Sequence, residues 1–140
     1  MIQEIVHDEA ALAVPAVPAT ADDAHVAQDL LDTIASMEDV AVMLAANQIG
    51  SDKAIIAYLG TDDKHHVMYN PKLLRAMRPQ KSLEGCLSIE GETVVTRFQT
   101  ITVAYEDLVD GKLVARSRKF TDFTAEAIQH GIDHCKGVLI

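Results

Sequence analysis

Cysteine is scarce: 140 residues hold only Cys86 and Cys135. In a reducing compartment a structural disulfide between them is not expected, so each is a small buried hydrophobe or a metal or redox ligand. Basic residues are also few, 12 against 21 acidic ones, for a formal charge of −9. That balance repels phosphate and excludes a nucleic-acid surface. No apolar run approaches the ~20 residues that span a bilayer, so no membrane partner is expected. The opening MIQEIVHDEA lacks the basic start and apolar block of a signal peptide. A cytoplasmic location is the resulting expectation.

What is present is ordinary globular material, 49% hydrophobic and 24% charged. The length fits one domain, residues 1–140, with a real core. Thr20 followed by Asp22 and Asp23 reads as a helix start, and Val26, Leu30, Ile34 and Met37 recur at helical spacing. A helix is expected over about Ala21 to Met37. Lys53 to Leu59 reads as a strand, and HVMYNP as a second strand stopped by Asn70-Pro71. Residues 82–95 are strand-like but broken at Gly85 and Gly91. TITVAYEDL and KLVARSRKF form a hairpin around Asp110-Gly111. The last helix runs from about Asp122 to Cys135, with Thr121 or Asp122 as its cap. The class is α+β, with mostly antiparallel strands.

That last helix carries two apolar stripes. Ala125, Ile128, Ile132 and Cys135 make one; Phe123, Ala127, His130 and His134 make the other. A helix apolar on two sides is buried on both, which puts two imidazoles in the interior, where they need partners. Residues four apart are stacked neighbours, so both rings can hold one ion or be satisfied by hydrogen bonds. A catalytic metal site takes three protein ligands and one open position. Cys86, between a glycine and a strand, is the best third donor. Cys135 is its rival, but as the neighbour of His134 it points about 100° away round the helix, toward Ile128 and Ile132.

LAANQIG (44–50), EGCLS (84–88) and QHGIDH (129–134) resemble, in order, the three motifs of peptide deformylases. The usual forms are G-x-G-L-A-A-x-Q, E-G-C-L-S and Q-H-E-x-D-H. The resemblance covers essentially the whole chain and implies strands arranged around a central metal-binding helix. It implies one divalent metal on Cys86, His130 and His134, Fe²⁺ first, with Zn²⁺ or Ni²⁺ as substitutes. The implied reaction removes formyl from N-formylmethionyl peptides or a small formamide. The metal would acidify a water and polarise the carbonyl. Gln48 and the N–H of Leu87 would steady the formyl oxygen, such donors contributing about 2.7–4 kcal/mol each. Substrate contacts are implied at Met43, Leu44, Glu84 and Gly85. Glu84 can also pair with Arg97, and Asp133 can orient a neighbour of the ligands.

Three departures qualify the resemblance. Gly131 stands where the family has its catalytic glutamate, whose proton transfer is worth ~10²–10⁴-fold. Glycine also costs the helix roughly 1 kcal/mol against alanine. Neither Glu126, leaning toward the helix N-terminus, nor Asp133 replaces the base. Ala41 and Met43 occupy the two glycine positions of the first motif and should reshape the cleft. The chain ends at Ile140 without the C-terminal helix through which longer members dock on the ribosome, so docking there is not expected. A weak deformylase is the expectation; a metal-containing protein that binds N-formyl or N-terminal groups without turnover is the alternative. His7, His25, His65 and His66 are expected to be solvated.

Overall fold

In the computed structural model, which describes residues 1–140, the strands form one antiparallel sheet in sequential order. They are β1 (Met43–Ala45), β2 (Ile55–Leu59), β3 (His65–Gly85), β4 (Glu92–Val109) and β5 (Lys112–Thr121). Three α-helices accompany them: α1 (Glu9–Leu12), α2 (Ala24–Ala35) and α3 (Asp122–Cys135). The α+β expectation holds. No helix is long and apolar enough to cross a membrane.

Successive residues of a strand face opposite sides, and here both sides are apolar. Met43, Ala45, Ile56 and Tyr58 join Ala125, Ala127, Ile128 and Ile132 of α3 in one core cluster. Leu44, Ile55 and Ala57 join Val26, Ala27, Leu30 and Ile34 of α2 in a second. The short strands β1 and β2 are therefore covered on one face by α3 and on the other by α2, which explains their nearly unbroken apolar sequence.

The expected first helix begins with a turn of 3₁₀ at Ala21–Asp23 before α2. Thr20 and Asp23 cap it reciprocally, the Asp23 carboxylate accepting from Thr20 N–H at 2.8 Å. Sequence reasoning missed α1, a single turn capped by Asp8. The hairpin at Asp110-Gly111 is present, both residues having positive φ. The third helix starts after Thr121, whose side chain makes no capping bond.

One expectation is corrected. Asn70-Pro71 does not stop the second strand; β3 continues through it to Gly85. The ladder to β4 skips from Tyr69 to Lys72, so a bulge takes up the residue that cannot donate. Asn70 adopts φ 52° there, and its amide makes the kink hold. It accepts from Ala19 N–H at 2.8 Å and donates to Ala19 O at 3.0 Å and to the Glu106 carboxylate at 2.8 Å.

Asn70→Ala removes these bonds and places a Cβ-bearing residue without a local partner at positive φ. Stability should fall by about 2 kcal/mol, seen as a lower urea midpoint with unchanged slope.

Candidate metal centre

β3 ends at Gly85, and Cys86 is the first residue of the loop that returns as β4. The loop aims its sulfur at α3. Cys86 Sγ lies 3.3 Å from His134 Nε2 and 3.4 Å from the N–H of Ser88. The donor atoms of Cys86, His130 and His134 all fall within 4.8 Å of one another. The imidazoles stack with centroids 4.9 Å apart and planes 12° from parallel, as i,i+4 neighbours on one helix face.

These residues fit a metal. His130 Nε2 is buried and has no hydrogen-bond partner, while its Nδ1 lies 3.3 Å from Glu84 Oε1. A carboxylate on one ring nitrogen leaves the other as a lone-pair donor, an arrangement common behind metal-bound histidine. Burial pushes the Cys86 thiol up, but the neighbouring His130 and His134 rings and the Ser88 N–H outweigh it, and its pKa falls to about 5. For His130, burial favours the neutral ring, yet Cys86 and Glu84 raise it to about 9. The site is thus arranged around a thiolate, and a divalent cation would compete with the imidazolium proton for it.

Gln48 closes another side. It is buried, its Oε1 accepts from Ala45 N–H at 2.9 Å, and its Nε2 lies 3.4 Å from Cys86 Sγ and 3.2 Å from Ser88 Oγ. Its NH₂ therefore has one orientation, toward the sulfur. Met43, Gln48, Gly85, Cys86, Leu87 and His130 are among the walls of a cleft of about 90 Å³. Leu44 faces away, fully buried in the α2 core, so only its backbone can meet a ligand in this cleft. Glu84 is buried as well, its carboxylate committed to Arg97 and His130. Gly131 is buried in α3.

Arg97 binds this assembly together. Its Nε and Nη2 donate to Glu84 at 2.9 and 2.7 Å, and its Nη1 donates to Asp133 at 2.5 Å. Three elements, β3, β4 and α3, thus meet at one guanidinium. Burial alone would raise the Glu84 carboxyl, but His130 and Arg97 bring it down to about 2.

Other expectations fare unevenly. Cys135 packs against the cluster containing Ile128 and Ile132, and burial raises its thiol to about 12, far from ligand chemistry. Phe123, placed by its spacing on the buried histidine stripe, is 62% exposed, because it lies in the first turn of α3 before the helix goes under the sheet. Glu126 accepts a hydrogen bond from the Ser82 hydroxyl. His66 is half-buried rather than solvated: it pairs with Asp62 at 2.9 Å and stacks on Tyr58.

Sequence reasoning missed three supports. Gln129 donates to Phe98 O at 2.8 Å and accepts from Phe98 N–H at 2.9 Å, taking over the edge of β4 past the last β5 pair, Thr100↔Thr121. Asn47 donates to His134 O at 3.0 Å. His7 Nδ1 lies 3.0 Å from Ser88 O and ties the N-terminal segment to the cysteine loop. Of these only Gln129 had a signal, its place in the third motif.

Over residues 2–140 the sequence matches the family model described as polypeptide deformylase. The chain belongs to that family. It is 36% identical to the peptide deformylase of Clostridium beijerinckii over 140 residues, all of both chains. The fold matches a peptide deformylase crystal structure from Legionella pneumophila at TM-score 0.84 and 28% identity, covering 99% of this chain and 83% of that one. It also matches the actinonin-bound class I type b peptide deformylase from Acinetobacter baumannii at TM-score 0.82 and 25% identity, over 99% and 95% of the two chains. Deformylases bind a single divalent metal, and in this member of the family Cys86, His130 and His134 form one group of three ligand-type donors.

Glu84→Gln leaves Arg97 with half its carboxylate partners and should cost ~3 kcal/mol. Because the folded carboxyl titrates below its ordinary 4.5, its contribution is complete above that pH and is lost as pH falls toward 2. Acid unfolding followed by circular dichroism should show a steep decline through this window in the parent and a shallower one in the variant.

Proposed function

We propose that this deformylase family member is a metal-dependent amide hydrolase for N-formyl peptides or small formamides, slowed by Gly131. The cluster of one thiolate and two imidazoles beside a cleft is the observation that carries the reading. A divalent ion held there, Fe²⁺ by family habit and Zn²⁺ or Ni²⁺ as substitutes, supplies Lewis-acid polarisation and an acidified water.

The chain's own residues do the rest. The Gln48 NH₂, fixed by its Oε1 bond to Ala45, is positioned to donate to a formyl oxygen with little reorganisation. The N–H of Leu87, next to Cys86, is the second donor. The backbone of Met43, Leu44, Glu84 and Gly85 guides the peptide. Glu84 holds the His130 ring through Nδ1, and Arg97 holds Glu84. Position 131 holds no proton acceptor. Glu126 accepts a hydrogen bond from Ser82, and Asp133 is paired with Arg97. General-base loss of this kind lowers turnover by ~10²–10⁴-fold. The same absence favours a second reading, recognition of an N-formyl group without turnover.

Metal-loaded protein should bind actinonin, the ligand of the A. baumannii structure, and should hydrolyse formyl-Met-Ala-Ser slowly but above the free-metal rate. Actinonin binding with no hydrolysis above that rate selects the binding reading. No binding of either rejects both. Cys86→Ser should weaken Zn²⁺ or Co²⁺ binding at least ~100-fold and abolish the thiolate-to-cobalt charge-transfer band; retention of that band would move the sulfur ligand to Cys135.

A further inference from the structure

We infer that Met43 and Gly131 form one coupled unit, in which the Met43 thioether, backed by Ile56, fills the space a side chain at position 131 would enter. A Cβ built on Gly131 would lie 3.0 Å from Met43 Sδ, 3.0 Å from Ile56 Cδ1 and 3.2 Å from Ile56 Cγ2. Unstrained carbon contacts sit near 3.5–4.0 Å, and sulfur is larger than carbon. Both neighbours are enclosed: Ile56 is fully buried and Met43 is 8% exposed. They share the α3-facing side of the sheet, since Ala45 pairs with Ile56 and Met43 with Tyr58 in the register of β1 and β2.

The contact explains a residue that is otherwise unfavourable in a helix interior. Glycine at this place in α3 leaves room for the Met43 and Ile56 side chains of the facing strands. It also links two departures 88 residues apart: a position that the resemblance makes glycine carries methionine, and a position that it makes glutamate carries glycine. Met43 lines the same cleft as Cys86, Gln48 and His130. The wall next to Gly131 is therefore thioether and hydrocarbon, and a side chain restored there must displace the methionine and Ile56 by a few tenths of an ångström. Met43 is thus a determinant of what chemistry the site permits. This rests on the proposed hydrolase reading only for its catalytic consequence; the packing claim stands on the distances alone.

The test is a double-mutant cycle on the full metal-loaded chain, with Gly131→Ala and Gly131→Glu each made alone and together with Met43→Gly. Thermal unfolding, metal content and formyl-peptide hydrolysis are read for every member. In the parent background Gly131→Ala should fail to raise Tm despite its better helix propensity, and Gly131→Glu should lower it by more than about 5 °C. With Met43→Gly, the Tm shift for alanine should become more favourable than in the parent, Ile56 still being in place, and the penalty for glutamate should shrink. Hydrolysis by Met43→Gly/Gly131→Glu should exceed that of Gly131→Glu at least tenfold at equal metal content. Where Met43→Gly does not fold, Met43→Ala removes the same sulfur and replaces it in the cycle. Equal Tm shifts in the two backgrounds would overturn the coupling. Coupled Tm shifts without hydrolysis in the double variant would uphold it and count instead against the hydrolase reading.

Discussion

A single buried guanidinium holds the parts of the site in register. Arg97 comes from β4, Glu84 from the end of strand β3 before the cysteine loop, and Asp133 from α3 between the two histidines. No other side chain of the site touches all three elements. Its own burial would disfavour the charge, and the two carboxylates reverse this, so its pKa is raised. Buried ions of this kind add little net stability over a hydrophobic replacement, yet removing one member is costly. Here their use is geometric: they fix the distance between the cysteine stem and the histidine helix.

From that anchor the site is assembled by amides. Gln48, Asn47 and Gln129 each bridge a backbone group to the metal helix or the cysteine loop. None carries charge. A neutral side-chain amide has both donors and an acceptor, so it can satisfy orphaned backbone groups on two elements at once.

Much of this was legible in residue order. The second and third motifs pointed to Cys86, His130 and His134, which the fold brings together, and the doubled apolar face of the last helix foretold its burial on almost every side. The hairpin at Asp110-Gly111 and the helix start at Thr20, Asp22 and Asp23 are local signals, whereas the reciprocal bond from Asp23 back to Thr20 appears only in the structure. What escaped was whatever depended on distant partners. Pro71 looks like a stop until a bulge and the Asn70 bonds to Ala19 absorb it. Phe123 sits on the right stripe but too early in the helix to reach the sheet. The reason for Gly131 lies in Met43 and Ile56, neither of which periodicity can connect to it.

The donor set itself is drawn from residue 86 and then from residues 130 and 134. A growing polypeptide therefore carries the Cys86 thiol well before it carries His130 or His134. The three-donor group is complete only once α3 has been made, because two of its donors lie in that helix. Until then the Cys86 thiol lacks the partners that depress its pKa.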